Sequence, residues 1–285
     1  MSGTKMPDEM IFFMIVNDPD IARYASKNGV SRLFVDLEYM GKDIRQKGIN
    51  SWKSGQTAKD VTRIREAADN AHLLVRINPL HEGTKAELDD VLARGADSVM
   101  LPMFHSYDDV ARFYDMIGDR AEAVPLVETV SALELVPDLC AKLPISRLHF
   151  GLNDLHLELK LDFMFELLSD QRLEEAAQAL RHHQISFGIG GIARAGEGIV
   201  SPEYILGEHV RLGSDAAILS RTLHRNAPDL ESLKAEMDLP QELSKLQAIY
   251  RNYCQADKAL LERNQTETAD RIRDVVTLIQ KKKAL

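Results

Sequence analysis

The stretch AVPLVETVSALELVPDLCAKLPISRLHFGLND (123–154) contains one full repeat of the pattern that decides the fold. Two short apolar runs, at 123–129 and 147–154, enclose a segment with apolar residues at helical spacing. Because the runs are continuously apolar rather than alternating, they are typical of strands buried on both faces, as in a parallel sheet. The stretch therefore predicts a strand–helix–strand unit.

The same unit recurs along most of the chain. Eight apolar runs follow one another at a spacing of about one strand and one helix: IFFMIV (11–16), RLFVDLE (32–38), HLLVRIN (72–78), SVMLPMF (98–104), AVPLVET (123–129), RLHFGLND (147–154), ISFGIG (185–190) and AAILS (216–220). A closed barrel accounts for this count better than a doubly wound open sheet, which periodicity alone leaves possible. We predict an α/β fold, a single (βα)8 TIM barrel over residues 1–228.

Helix start and stop signals lie between these runs. Asp18-Pro19 has the form of an N-cap followed by proline at the first helical position. Thr84 to Glu87 has the spacing of a capping box, and 57–60 and 106–109 are looser versions. Glycines occur where helices are expected to end: Gly29, Gly95 and Gly118.

Beyond Pro228 the pattern changes to amphipathic helices, which we assign to a C-terminal extension over 229–285. Two apolar stripes recur at helical spacing: Leu243, Leu246, Tyr250, Tyr253 and Leu260, then Ile272, Val275, Val276 and Ile279. Such stripes need a partner surface. We expect them to pack on the barrel or on a neighbouring subunit of a homo-oligomer.

Composition excludes several classes of function. The 285 residues carry a formal net charge of −9, which argues against nucleic acid or an anionic membrane as a partner. The two cysteines, Cys140 and Cys254, form no disulfide or CxxC pattern, and the first residues lack the regions of a signal peptide. We expect a cytoplasmic protein.

Polar residues cluster where the predicted strands end. In a (βα)8 barrel the loops after the strands converge on one rim, and chemistry takes place there. The residues at these ends are Asp36, Glu38, Arg76, Asn78, Glu128, Thr129, Asn153, Asp154, Ser220 and Arg221. Four carboxylates on one rim, together with Arg76 and Arg221, indicate a functional site, because burying them unpaired would be costly.

Glu128 and Asp154 end adjacent predicted strands. Two carboxylates suit a hard cation such as Mg²⁺ or Mn²⁺, which can polarise a carbonyl and stabilise an enolate. The alternative is structural: both carboxylates would cap the helices that follow or pair with Arg76.

The predicted seventh strand runs into FGIGGIARAGEG (187–198), which is rich in glycine. Glycines allow a backbone to approach an anion closely, and barrels often bind phosphate after strands 7 and 8. We therefore place Gly190, Gly191 and Arg221 among the substrate-binding residues, with Arg194 as a further candidate cation. The alternatives are a flexible loop and structural ion pairs.

As a set, five segments resemble the citrate lyase β-subunit / HpcH/HpaI aldolase family of metal-dependent barrels that act on phosphoenolpyruvate- or pyruvate-type substrates. They are FVDLE (34–38), VRINP (75–79), GADSVMLP (95–102), PLVET (125–129) and FGLNDL (150–155). They occur in the family's order, and the resemblance spans roughly residues 10–225.

The resemblance implies roles for individual residues. Glu128 and Asp154 match the ligands of Mg²⁺ or another divalent metal, and Arg76 matches the arginine that binds the keto acid. Asp36 and Glu38 match an acidic pair near the metal, so Arg76, Asp36 and Glu38 are assigned to catalysis. The resemblance also places the loop from Pro102 to Phe104 at the pocket mouth, with Pro102 as a substrate-binding residue.

One position departs from the family pattern. The aldolase branch has a catalytic histidine directly after its D-x-E motif, and here Tyr39 occupies that position. The catalytic base therefore stays open between Asp36, Glu38, a metal-bound hydroxide and His156. The basic run Gly41 to Lys47 either adds cations to the pocket mouth or is a solvated loop.

The implied chemistry is reversible aldol or Claisen-type cleavage. The leading hypothesis is a metal-dependent carbon–carbon lyase or aldolase for a small 2-oxo or 3-hydroxy acid. The alternatives are a lyase or thioesterase for an acyl-CoA of the malyl- or citryl-CoA kind, and a non-catalytic barrel subunit. The loss of the histidine favours the last, whereas the presence of Arg76, Glu128 and Asp154 together argues against it.

Overall fold

The computed structural model describes residues 7–41, 55–221, 223–225 and 227–284. Eight parallel strands form a closed barrel in chain order, which confirms the predicted (βα)8 fold and excludes the open sheet. The strands are β1 Ile11–Ile15, β2 Arg32–Asp36, β3 His72–Arg76, β4 Ser98–Leu101, β5 Glu122–Val127, β6 Arg147–Phe150, β7 Ser186–Ile192 and β8 Ala216–Leu219.

Helices alternate with these strands and continue beyond β8. They are α1 Pro19–Lys27, α2 Ala58–Ala67, α3 Thr84–Ala93, α4 Tyr107–Ile117, α5 Val130–Lys142, α6 Leu152–Glu158, α7 Gln171–His182, α8 Pro202–Leu212, α9 Leu230–Glu236, α10 Leu239–Cys254 and α11 Lys258–Lys283. Short 3₁₀ helices occupy Gly118–Arg120 and Met164–Ser169. In the described part of the chain, none of the helices combines the length and apolar character needed to span a bilayer.

The strands are buried on both faces, as their apolar runs predict. Side chains pointing outward join the large core between strands and helices. Those pointing inward form a smaller core whose members are Phe13, Phe34, Leu74, Met100, Val124, Leu126 and Ala216. Since inward and outward side chains alternate along a strand, the inward positions next in line toward the carboxyl ends reach the rim.

Most of the predicted helix boundaries are confirmed. The Asp18 carboxylate accepts the N–H of Ile21 and caps α1. Ser106 and Asp109 form a complete capping box at the start of α4. The three glycines named as helix stops all have positive φ angles, between 56° and 100°.

The capping box predicted at Thr84 is wrong. The N-cap of α3 is Gly83, and no side chain caps that helix. The Thr84 hydroxyl accepts the N–H of His81 at 2.8 Å, and Glu87 turns toward the barrel rim, where it accepts from the Asn78 side chain at 2.8 Å. A long-range polar contact therefore outweighs the local capping interaction.

The C-terminal helices bury most of their two apolar stripes against the rest of the chain, although Leu260 is exposed. Leu243, Leu246 and Tyr250 of α10 are buried, and Tyr250 donates to the Ser214 carbonyl at 3.4 Å. Gln247 brackets Met10, accepting its N–H at 2.9 Å and donating to its carbonyl at 2.7 Å. The division into domains at residue 228 and the homo-oligomer stay predictions.

The Gln247→Ala variant is expected to lower the free energy of unfolding by about 1–3 kcal/mol, because it leaves two backbone groups at the start of β1 unsatisfied. Urea unfolding measures the change. Arg251→Ala on the same helix is the control, since the Arg251 side chain is exposed and surface substitutions of this kind change stability little. Equal stability of the two variants would show that the Met10–Gln247 contact does not hold α10 on the barrel.

Candidate active site

The carboxyl ends of the strands surround a cavity of about 390 Å³. Nine of the residues that the sequence nominated line it together: Glu38, Arg76, Glu128, Asn153, Asp154, Gly190, Gly191, Ser220 and Arg221. They come from the ends of six different segments of the chain, and barrel closure brings them to one place. Asp36 and Pro102 are not among the lining residues.

Glu128 directly follows β5 and is almost fully buried. Its Oε1 accepts the backbone N–H of Met103 at 3.1 Å, and Met103 adopts a left-handed conformation with φ 51°. That conformation is unfavourable for a residue with a side chain, so other contacts must hold it. A Cβ at Gly151 would lie 2.9 Å from Oε2 of Glu128, and glycine is therefore what lets the next strand approach this carboxylate.

Asp154 lies in the first turn of α6, where a negative charge interacts favourably with the helix dipole. The N-cap of α6 is Gly151, and no side chain caps that helix. The helix after β5 is capped instead by Thr129, whose hydroxyl accepts the N–H of Ala132 at 3.1 Å. Neither Glu128 nor Asp154 is the N-cap of the neighbouring helix, which argues against the capping part of the structural alternative.

Arg76 ends β3 and is held by two carboxylates. Its Nε and Nη2 donate to the two oxygens of Asp36, each at 2.9 Å, and Nη2 is 3.4 Å from Glu38 Oε2. Although burial by itself lowers the pKa of Arg76, the charges of Asp36 and Glu38 raise the pKa above its usual value. The guanidinium is therefore permanently charged and fixed in orientation.

This pairing changes the expected role of Asp36. Its fully buried carboxylate binds Arg76, and Asp36 is not among the residues that line the cavity. One edge of the Arg76 guanidinium is occupied by Asp36, and a substrate carboxylate would have to use the remaining N–H groups. Asp36 is thus placed to orient Arg76 rather than to touch a reacting atom.

The candidates for the catalytic base lie in different surroundings. Tyr39 is 69% exposed, and its backbone N–H donates to Asn78 Oδ1 at 3.1 Å. His156 contacts the Leu152 carbonyl through Nδ1 at 3.3 Å and does not line the cavity. Of Asp36, Glu38 and His156, only Glu38 lines it.

Of the two other nominated arginines, Arg221 lines the cavity and Arg194 does not. Burial lowers the pKa of Arg221 at the end of β8, although Asp36 acts in the opposite direction. Arg194 is buried and donates to the backbone carbonyls of Leu223 and Glu236, which is a structural role. Of the basic run that begins at Gly41, residues 42–47 lie outside the described residues.

The donor set around the cavity fits a divalent cation of the Mg²⁺ kind. In the described residues, no three or more His, Cys, Asp or Glu side chains form a group that could hold a metal by themselves. Mg²⁺ does not need such a group, because one or two carboxylates bind it together with water and substrate oxygens. Glu128 and Asp154 are oxygen donors of that type lining one cavity.

Sequence reasoning missed His149, which also lines the cavity. It lies in the interior of the barrel on β6, is 1% exposed, and its ring is 5.7 Å from that of Phe13. Burial lowers the pKa of His149 to about 3, so the ring is neutral near pH 7. A signal was present, since Arg147 and His149 place two polar side chains on one face of an otherwise apolar strand.

Acid is expected to destabilise the protein through two histidines, because burial lowers the pKa of both His149 and His209 to about 3. Their neutral forms contribute stability that is present above the unfolded-state pKa of about 6.5 and is lost as the pH falls toward 3. Between these values each histidine lowers the free energy of unfolding by up to about 1.4 kcal/mol per pH unit. Urea unfolding from pH 7 to 5 measures the slope, which should decrease in a His209→Gln variant; an unchanged slope would contradict the assignment.

Comparison with known proteins finds solved structures with the same fold. No protein-family model and no curated protein matches the sequence. Among solved structures, the chain is similar to an HpcH/HpaI aldolase from Desulfitobacterium hafniense DCB-2, with a TM-score of 0.59 and 17% identity over 82% of this chain and 95% of that one. It is also similar to a citrate lyase beta subunit from M. tuberculosis complexed with oxaloacetate and magnesium, with a TM-score of 0.58 and 14% identity over 85% and 97% of the two chains.

A third similar structure is an HpcH/HpaI aldolase/citrate lyase family protein from Burkholderia cenocepacia J2315, with a TM-score of 0.59 and 13% identity over 82% of this chain and 97% of that one. At identities this low, the structural similarity establishes a shared fold and nothing more specific. These three structures carry the names of the family that the sequence motifs resemble, as expected.

Proposed function

We propose that this chain, whose barrel is the one found in HpcH/HpaI aldolases and the citrate lyase beta subunit, is a divalent-metal-dependent carbon–carbon lyase. Its substrate would be a small 2-oxo or 3-hydroxy acid. The observation that carries the proposal is the single cavity lined by the Glu128 and Asp154 carboxylates together with Arg76. The similar structure that contains oxaloacetate and magnesium supports a keto acid and a metal as its occupants.

Arg76 would bind the carboxylate of the substrate. Asp36 holds the Nε and Nη2 side of the guanidinium at 2.9 Å, so the side chain is oriented before substrate arrives. A fixed planar donor loses little freedom on binding, which favours recognition of a carboxylate. Arg221, which lines the same cavity, would supply a second positive charge.

Glu128 and Asp154 would supply oxygen ligands to the cation. The bond from the Met103 N–H to Oε1 fixes the Glu128 carboxylate, and α6 fixes the position of Asp154. When bound, a divalent ion polarises the substrate carbonyl and stabilises negative charge that develops on its oxygen.

Glu38 would accept the proton that the reaction releases. It lines the cavity as a buried carboxylate 3.4 Å from Arg76 Nη2. In the cleavage direction, Glu38 would take the proton of the substrate hydroxyl, which becomes a carbonyl as the adjacent carbon–carbon bond breaks. The electrons of that bond would form the enolate of the keto acid, and this enolate would then take a proton at carbon, which leaves Glu38 as a carboxylate again. In the reverse direction, Glu38 would return that proton to the new hydroxyl.

A cavity of about 390 Å³ suits a small acid. No feature of the described residues favours an acyl-CoA over a free acid, and the group of charged residues in one cavity argues against a non-catalytic barrel. We also propose that the protein is cytoplasmic, as its composition indicates, and that it forms a homo-oligomer, as the family resemblance implies.

A panel assay tests the proposed function. Candidate 2-oxo and 3-hydroxy acids are incubated with the protein and Mg²⁺ or Mn²⁺, and release of pyruvate, oxaloacetate or free CoA is followed. We expect release of a keto acid that stops when EDTA is added and resumes with excess metal. Release of CoA would favour the acyl-CoA alternative, and the absence of turnover on every substrate would contradict the proposal.

A further inference from the structure

Strand β7 has an irregularity directly beside the cavity. Against β8, Gly188 pairs with Ala216 and Gly191 pairs with Ile218, so three steps along β7 face two steps along β8. Such a β-bulge leaves the extra residue without its regular ladder partner. Gly190 lies in the bulge with a left-handed φ of 43°, and its backbone lines the cavity.

The ring of His149 fills the space inside this bulge. Its Nε2 is 3.4 Å from the carbonyl oxygen of Gly190. A Cβ on Gly188 would lie 2.2 Å from Nδ1 of the same ring, a distance that no side chain allows. Since Gly188 does not have a positive φ, the close approach of the imidazole is the reason for glycine at this position.

On its other side the bulge rests on helix α6. A Cβ on Gly190 would lie 2.9 Å from Cδ1 of Leu152, so backbone and side chain are in tight contact there. Leu152 is the buried first residue of α6, and Asp154 is in the same helical turn. The contacts therefore run without interruption from His149 through Gly190 and Leu152 to the turn that carries Asp154.

The chemistry of the ring suits a fixed donor. Burial, with Arg147 and Arg76 adding positive charge, keeps the pKa of His149 far below neutral pH. A neutral imidazole carries one N–H, and the Gly190 carbonyl is an acceptor for it at Nε2. Nδ1 has no hydrogen-bond partner among the described residues, so the Gly190 contact is the polar interaction that accounts for a histidine inside this core.

We propose that His149 is a positioning residue for the metal site: by holding the Gly190 carbonyl it keeps the β7 bulge against Leu152 and so fixes the place of Asp154 in the cavity. The inference rests on the proposed function only in taking Asp154 as a metal ligand. A residue that only stabilised the fold would leave metal affinity unchanged when replaced, whereas replacing His149 should weaken metal binding.

The test is Mn²⁺ binding to the purified protein, measured by calorimetry, with the melting temperature measured in parallel. His149→Phe keeps a ring and loses the donor, so Mn²⁺ should bind about tenfold more weakly or worse, the size typical of lost outer contacts at a metal site. His149→Gln keeps an N–H donor and should stay within about threefold of the wild type. Gly188→Ala keeps the histidine but displaces the ring, and it should behave like His149→Phe.

His209→Gln is the matched control, because His209 is equally buried but lies on α8 with Nδ1 2.9 Å from Ser214 Oγ. It should lower the melting temperature and leave Mn²⁺ affinity unchanged. The inference is overturned if both His149→Phe and Gly188→Ala bind Mn²⁺ like the wild type while Asp154→Asn does not. If Asp154→Asn also binds Mn²⁺ normally, Asp154 is not a metal ligand, and His149 cannot position a metal site through it.

Discussion

The Glu128→Gln and Asp154→Asn variants are each expected to lower kcat/KM about a thousandfold or more, because a metal ion contributes several kcal/mol to stabilising charge in the transition state. Both substitutions keep the shape of the side chain and remove its charge. Glu128→Gln also keeps an oxygen that can accept the Met103 N–H, so the left-handed turn at Met103 should survive. The measurement is steady-state turnover at several concentrations of Mg²⁺.

Glu134→Gln is the control for these variants, since Glu134 is an exposed carboxylate on α5, outside the cavity. It should have wild-type kinetics. The melting temperatures of all three variants should stay close to that of the wild type, which separates loss of the metal from loss of the fold. Normal turnover by either Glu128→Gln or Asp154→Asn would remove that residue from the metal site.

The second large effect is expected at Arg76. Arg76→Lys should raise KM for a keto acid, because an ammonium group cannot keep both bonds to Asp36 and also offer a planar donor to the substrate. Arg76→Met should in addition lower the free energy of unfolding by about 3–5 kcal/mol, because it removes the guanidinium that pairs with the fully buried carboxylate of Asp36. Steady-state kinetics and urea unfolding measure the two effects separately.

A double variant separates the two roles of this pair. Arg76→Met with Asp36→Leu replaces a buried ion pair by apolar side chains, which is often neutral or stabilising. We expect it to recover most of the stability lost in Arg76→Met and none of the activity. Recovery of activity together with stability would show that Arg76 supports the fold and does not bind substrate.

The fold could be predicted because strands that are buried on both faces appear in the sequence as continuous apolar runs. All eight runs coincide with strands of the barrel. The irregular part of β7 was not predictable, because a bulge depends on the pairing with β8 and on the ring of His149 beside it. The capping box at Thr84 was wrong for a related reason, since Glu87 makes its contacts with Asn78 and His81 instead.

The residues of the site could be predicted from their positions at the strand ends, but the contacts between them could not. The ends of parallel strands meet at one rim, so Glu38, Arg76, Glu128 and Asp154 could be expected together. Whether Asp36 faces the cavity or Arg76 depends on side-chain geometry that sequence patterns do not carry. His149 was overlooked because it precedes the strand end, within a run that otherwise reads as apolar core.

Glu128 and Asp154 are proposed to hold one divalent metal ion in this cavity. Crystals grown with MnCl₂ and a keto acid, measured at a wavelength where manganese scatters anomalously, would locate that ion. We expect one strong anomalous peak at about 2.0–2.2 Å from oxygens of both carboxylates, the range of Mg²⁺-type coordination. A peak bound elsewhere, or no peak between these two side chains at saturating Mn²⁺, would show that Glu128 and Asp154 do not hold the metal ion.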